Sequence, residues 1–244
     1  MNILNEIDFY TFGSHPKTDL EHSGNSPKNG IFNFQPQMVD WKLDGSVVFN
    51  VKKEISTGYF RGEGDWIFRP RQREYMAGGI ITYDTFGFGH YTLVCSFPSF
   101  RGSWEAFWAV DWKPRSEGGM GMPPEFDIFE RFLRKCWDRH KLVPGFIYGS
   151  DYEAGKKEIS KPQWRWKSWN KGIHQIEFIW KPDLMQYIYD GKVVLEITDR
   201  SIIPQGAVNW YLNSGLGDWR PDEKHFDSFT VYELDYEPFK IETI

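Results

Sequence analysis

The chain has little with which to staple itself, hold a soft metal, cross a membrane or grip nucleic acid. Only two of its 244 residues are cysteine, Cys95 and Cys136. They allow one disulfide at most, nothing in their spacing demands it, and the redox compartment stays open. Cys95 stands in the strand-like run His90–Phe97 and reads as a small buried hydrophobe. The six histidines are scattered, and no Cys/His cluster has zinc-site spacing. No run reaches the ~18 apolar residues of a membrane helix, so no membrane partner is expected. Met1–Phe9 lacks the basic start and apolar stretch of a secretory leader, which leaves the localisation open. With 29 Lys and Arg against 34 Asp and Glu, the net charge is −5, and no basic footprint for nucleic acid exists. The run Arg131, Arg134, Lys135, Arg139, His140 and Lys141 is the local exception. It reads first as a solvated loop or strand edge, and second as an anion site for an acidic sugar.

Long amphipathic helices are missing as well, and 14 Pro with 23 Gly would interrupt them. Short β-type runs take their place: Ser46–Val51, Gly78–Tyr83, His90–Phe97, Ala106–Val110, Ile173–Trp180, Met185–Tyr189, Lys192–Ile197 and Phe229–Tyr236. Asp190-Gly191, between two alternating runs, predicts a tight hairpin with a type I′ turn. An antiparallel two-sheet sandwich follows. Residues 1–30 are polar and rich in turn formers, and are expected to be an irregular lead-in. Residues 31–244 then form one β-sandwich domain, a length such folds often reach as a single unit.

What the chain has in excess is aromatic rings: 12 Trp, 12 Tyr and 20 Phe, 18% of the residues. Many must fill a core. Tryptophan, whose indole N–H needs a partner when buried, also suits a cleft in which flat rings face a ligand. Sugar rings present apolar C–H faces to such platforms, so the composition leans toward carbohydrate.

Against this background stands Glu125-Phe126-Asp127-Ile128-Phe129-Glu130, three acids among two aromatics and an isoleucine. A strand sends alternate side chains to opposite faces, so Glu125 and Asp127 share one face while Phe126 and Ile128 enter a core. Strict alternation would put Glu130 opposite Glu125. One extra residue absorbed in a β-bulge would return it, and bulges are common beside active sites. Two carboxyls about 5–5.5 Å apart are what a retaining glycosidase needs, one as nucleophile and one as acid/base. Crowded among carboxylates and apolar neighbours, one of the three should keep its proton near neutral pH. On this reading Glu125 is the nucleophile, Glu130 the acid/base, and Asp127 orients the nucleophile. The plain alternative is the solvated face of an ordinary amphipathic strand.

Taken in order, the acidic strand, the Asp-Gly hairpin and the aromatic blocks resemble glycoside hydrolase family sixteen, the laminarinase and lichenase group, from about residue 30 to 238. Glu125–Glu130 matches the bulged form of the signature, E-x-D-x-x-E. Gly102-Ser-Trp-Glu-Ala-Phe-Trp108 resembles G-x-W-P-A-F-W, with Glu105 where proline is usual. His174–Gly191, Trp210–Trp219 and Phe229–Tyr236 resemble later blocks of the family. The resemblance implies a jelly roll of two curved antiparallel sheets with an open concave cleft and endo action on a polysaccharide. It implies substrate contacts from Trp108, Trp104, Trp219 and Asn213, although each of these tryptophans also suits a core and Asn213 also suits a turn. Tyr148 takes the place of a usual histidine. No cofactor is required for catalysis, while Asp235 matches an aspartate that in many members helps hold a structural calcium ion. A monomer is expected.

The polymer expected first is a β-1,3 or mixed-linkage β-glucan. A β-galactan of the agar, carrageenan or porphyran type is the second choice, since Gly118–Pro124 replaces a family tryptophan and Arg69, Arg71 and Arg73 offer partners for oxyanions. A non-catalytic lectin on the same fold is the third. Three crowded carboxyls count against the lectin, because mere binding does not need them.

Overall fold

The computed structural model describes residues 1–12, 30–61, 68–111, 118–121, 123–135, 137–149, 155–165, 167–217, 221–224 and 226–239. After the short helix α1 (Ile3–Glu6), the strands of the first half are β1 (Phe9–Thr11), β2 (Phe32–Phe34), β3 (Val39–Trp41), β4 (Val47–Phe49), β5 (Val51–Arg61), β6 (Phe68–Ala77), β7 (Gly79–Thr82), β8 (Gly89–Ser96) and β9 (Ser103–Val110). Those of the second half are β10 (Glu125–Phe132), β11 (Lys141–Gly149), β12 (Lys156–Ser160), β13 (Gln163–Trp164), β14 (His174–Lys181), β15 (Leu184–Tyr189), β16 (Lys192–Ile197), β17 (Asn209–Leu216) and β18 (Phe229–Pro238). One sheet runs β1-β7-β17-β9-β10-β11-β12 with β13 beside β11, a second runs β16-β15-β14-β8-β18-β4-β3, and β2-β6-β5 form a third, smaller one. This is the expected sandwich of two large antiparallel sheets. No helix among the described residues is long and apolar enough to cross a membrane.

Alternation builds the core. Along β8 every second residue, from Gly89 through Tyr91, Leu93 and Cys95, is buried. Along β14 the buried set is His174, Ile176, Phe178 and Trp180. These faces meet Phe126 and Ile128 of β10, Phe146 of β11 and Trp210 of β17 in one cluster between the large sheets. Each large side chain taken fully out of water there stabilises the fold by about 1.5–3 kcal/mol. Cys95 is a free, buried thiol, as its run suggests. The hairpin turn is also as expected: Asp190 and Gly191 have φ of 47° and 76°, the left-handed pair that a type I′ turn requires. Asp190 serves a second purpose there, accepting from the Gln175 N–H, from Arg165 and from His174.

The N-terminal twelve residues are not an irregular lead-in. Ile3 and Leu4 are buried in the main core, and β1 extends the first sheet by pairing with β7. Met1 exchanges backbone hydrogen bonds with Tyr236 of β18. Apolar anchors at Ile3, Leu4 and Phe12 outweigh the polar composition of that stretch.

A second apolar cluster joins Phe12, Phe32, Phe34, Val51 and Tyr75 to Ile81 of β7 and Tyr211 of β17. It covers one side of the first sheet's outer face, so the surface of that face around β9, β10 and β11 is bounded on one side by a packed wall.

Candidate active site

The site is set by one irregularity in β10. Against β9, Glu125 pairs with Val110 and Asp127 with Trp108, but Glu130 pairs with Ala106. Val110, Trp108 and Ala106 lie two apart on a regular strand, so they share a face, and their partners Glu125, Asp127 and Glu130 share it too. The register slips between Asp127 and Phe129 on the β9 side, and between Asp127 and Glu130 on the β11 side. Ile128 has no partner on either neighbour, which is the extra residue of a β-bulge. All three acids therefore line one face.

A bulge strands backbone groups that the ladder would have satisfied. Tyr189 answers this from the opposite sheet: its hydroxyl donates to the Ile128 carbonyl at 2.6 Å. Tyr187 likewise donates to the Gly145 carbonyl at 3.1 Å, beside the bulge on β11. Burial pushes both phenols well above their ordinary pKa, so each stays a neutral donor. Tyr189→Phe would leave the Ile128 carbonyl buried without that partner. The expected cost is about 1–3 kcal/mol of folding stability, measured by urea unfolding, together with a fall in kcat as the bulge loosens. An unchanged unfolding midpoint would contradict the role assigned to this hydroxyl.

Asp127 sits between the other two acids and is nearly buried. Directly opposite on β11 is Gly145, where a Cβ atom would come within 3.0 Å of the Asp127 carboxyl oxygen. Glycine here lets the carboxyl lie flat against the strand.

Glu130 is a strongly perturbed acid. Burial, chiefly, and then the Asp127 charge push its pKa up to about 8, with Glu158 adding to the rise while the Trp104 hydrogen bond and Arg134 oppose it. Glu158 reaches this face because its backbone partner on β11 is Ile147, which in turn pairs with Glu125. At neutral pH Glu130 is thus a carboxylic acid with a proton to give.

Two tryptophans frame the acids. Trp104 donates from Nε1 to Glu130 Oε1 at 3.2 Å and packs on Phe132. Trp108 stacks on Tyr211 with ring centroids 3.9 Å apart and planes 19° from parallel, and its Nε1 donates to Asn213 Oδ1 at 2.9 Å. Both indoles are only half-buried, and register puts both on the acid face with Asn213, the partner of Ala106. Asn213 is buried and holds the Trp108 ring rather than a turn.

Two expectations change. Tyr148 does not face the acids. Ile147 is the residue paired with Glu125, so Tyr148 points to the other side, where it stacks on Phe146 at the margin of the core. Both faces of Phe146-Ile147-Tyr148 are apolar, so period two carries no signal there. Arg131 is not part of a solvated basic run. The phase shift that brings Glu130 to the open face turns Arg131 inward, where it is fully buried and bonds Glu105 at 2.7 Å and Ser103 at 3.2 Å. Burial pushes Glu105 up to about 7, against the pull of Arg131 and Ser103. Glu105, standing where the related pattern has proline, is the signal that could have found the pair, since it lies directly across from Arg131 on β9.

Trp219 lies outside the described residues, as does Cys136. Asp235 is on β18 in the other large sheet, paired with Thr92 and bridged to Asn2. Among the described residues no three His, Cys, Asp or Glu side chains converge as a metal-binding group.

A proton-bearing carboxyl and two further acids on one β-sandwich face, framed by half-buried indoles, form a site suited to acid/base work on a carbohydrate. The chain belongs to a family of such proteins: residues 61–227 match glycosyl hydrolases family 16, and the protein is a glycoside hydrolase. Solved structures of similar fold include LamA from Zobellia galactanivorans in complex with laminaritriose and laminaritetraose, at TM-score 0.71 and 15% identity over 94% of this chain and 92% of that one. A lichenase from a mouse hindgut metagenome is similar at TM-score 0.69 and 17% identity, over 97% of both chains. The endo-β-1,3-glucanase from Pyrococcus furiosus is similar at TM-score 0.71 and 16% identity, over 96% of this chain and 90% of that one. No curated protein sequence matches significantly.

Proposed function

We propose that the protein is a retaining endo-β-glycanase that cleaves internal bonds of a β-1,3 or mixed-linkage β-glucan. The observation that carries this is the slip in β10, which sets Glu130, with its pKa near 8, on the face of Glu125 and Asp127. Glu125 attacks the anomeric carbon while Glu130 donates its proton to the departing oxygen, giving a glycosyl ester on Glu125. Glu130, now a carboxylate, takes a proton from water as that water displaces Glu125 and restores both groups. Asp127 orients Glu125 and holds up the pKa of Glu130. The exposed edges of Trp104 and Trp108 receive sugar rings, and Asn213 fixes the second indole. Trp219 is proposed as a further platform on resemblance alone.

The choice of a glucan draws on the lichenase and the endo-β-1,3-glucanase among the similar structures, whose likeness to this chain otherwise shows only the fold. Reducing-end assays on laminarin, lichenan, agarose, carrageenan and porphyran test it. Release from laminarin or lichenan is expected; release only from a galactan would move the substrate to that class, and binding without release from any polymer would make the protein a lectin.

A structural calcium ion is proposed at Asp235, away from the chemistry. Glu233 lies beside it, and its pKa is raised by interaction with the Asp235 carboxyl and by burial. Two carboxyls in contact suit a hard cation that takes its remaining oxygens from backbone and water. Its role would be to tie β18 to the N-terminal segment. Addition of calcium to chelator-treated protein should raise Tm, and an unchanged Tm would remove the ion from the account.

A further inference from the structure

Away from the acids, two tryptophans stand in water. Trp137 is 55% exposed and Trp164, on β13, is 58% exposed. Each leaves unburied a ring that would stabilise a core, so two on one surface call for a partner. Both line one hollow of about 550 Å³ with His140 and Arg165. Trp137 also walls a second hollow of about 430 Å³, around which stand Arg101, Arg134, Lys135 and Arg139, with Asp222 the only acid among the described lining residues. In a chain of net charge −5, this is a local reversal of sign. The ammonium of Lys135 lies 5.2 Å from the Trp137 ring centroid, and that of Lys141 lies 5.7 Å from the Trp164 centroid. Cations thus border both platforms. The surface also connects to the face that bears the acids: the Arg134 guanidinium is 5.1 Å from the Phe132 ring, Phe132 packs on Trp104, and Trp104 bonds Glu130.

We propose that Trp137 and Trp164, with the cations beside them, form an accessory glycan-binding surface for an acidic polysaccharide, one that bears sulfate or carboxylate groups. Indole faces accept the C–H faces of sugar rings, and guanidinium and ammonium groups accept the oxyanions. A neutral polymer would use the rings and leave the cations idle. From the reading above the proposal takes only that the ligand is a glycan.

Affinity electrophoresis through gels holding carrageenan, polygalacturonate or laminarin tests it, with the full chain and its Trp137→Ala/Trp164→Ala variant both on a Glu125→Gln background. The parent should be retarded by carrageenan or polygalacturonate, more weakly as salt rises, and less by laminarin. Which acidic polymer retards it more tells sulfate from carboxylate. The double variant should bind about tenfold or more weakly, the scale of losing an indole anchor, while the same pair of substitutions in the cleavage-competent chain leaves turnover of a short oligosaccharide unchanged. Equal retardation of the two forms, retardation by laminarin as strong as by the acidic polymers, or none by either acidic polymer would overturn the proposal. Hydrolysis without retardation sinks this surface alone; retardation without hydrolysis of any polymer sinks the catalytic reading alone.

Discussion

Replacing Glu130 by Gln lowers kcat on polysaccharide by about 10²–10⁴-fold, the range expected for loss of a general acid, while KM changes little. The amide keeps the size of the side chain and its contact with Trp104 but has no proton to transfer. In the parent enzyme, kcat/KM should fall as pH rises through about 8, where Glu130 gives up that proton. The sign of the stability effect follows from the same group. Its folded pKa lies above the ordinary value of 4.5, so the folded state holds the proton more tightly. The resulting stabilisation is fully present below about pH 4.5 and is lost as pH climbs through 8. Glu130→Gln removes this titration, so its Tm should gain on that of the parent as pH is raised across that window. Thermal melts at pH 5 and pH 8 measure the difference. A variant that loses activity without changing the pH dependence of Tm would mean that Glu130 is not the buried acid described here.

Arg131→Ala should unfold far more readily than the parent, with a loss of about 3–5 kcal/mol, because it leaves Glu105 buried without its ion partner. Both side chains are fully buried and bond at 2.7 Å. Removing both charges is a different experiment. Glu105→Leu with Arg131→Met keeps the volume and strands no charge, and should restore most of the lost stability. Urea unfolding of the three forms measures this. If the double variant were no more stable than Arg131→Ala, packing rather than charge would be the reason for the loss. The pair also joins β9 to β10 one residue past Glu130, so Arg131→Ala that remains folded should show a shifted alkaline limb in its pH–rate profile.

These residues differ in how plainly the sequence alone announces them. Glu125, Asp127, Phe126 and Ile128 declare themselves by period two. The Asp190-Gly191 turn does so by the left-handed backbone it needs. Glu130 required the bulge, which alternation alone does not reveal and which the spacing E-x-D-x-x-E supplied. Arg131 was misplaced because its surroundings in sequence are basic, while its surroundings in space are set by the same phase shift that rescues Glu130. Tyr148 was misplaced because both faces of its strand are apolar. The Tyr189 hydroxyl at the Ile128 carbonyl joins residues 61 apart in sequence, and no local pattern carries such a contact. The ribbon of β5 and β6 is charged on both faces over Lys52–Glu54 and gave no alternation to read. The N-terminal segment is fixed by a few apolar anchors among polar neighbours.

The central claim is that the kink in β10 puts Glu125 and Glu130 to work on one bond. Azide rescue of Glu130→Ala, with an activated aryl β-glycoside as substrate, tests it most directly. With a good leaving group no acid is needed, so the glycosyl ester on Glu125 forms and waits, and azide enters through the space the missing carboxyl leaves. The account predicts that azide restores turnover and that the product is the β-glycosyl azide. Failure of azide to restore turnover, or an α-glycosyl azide as the product, would contradict it.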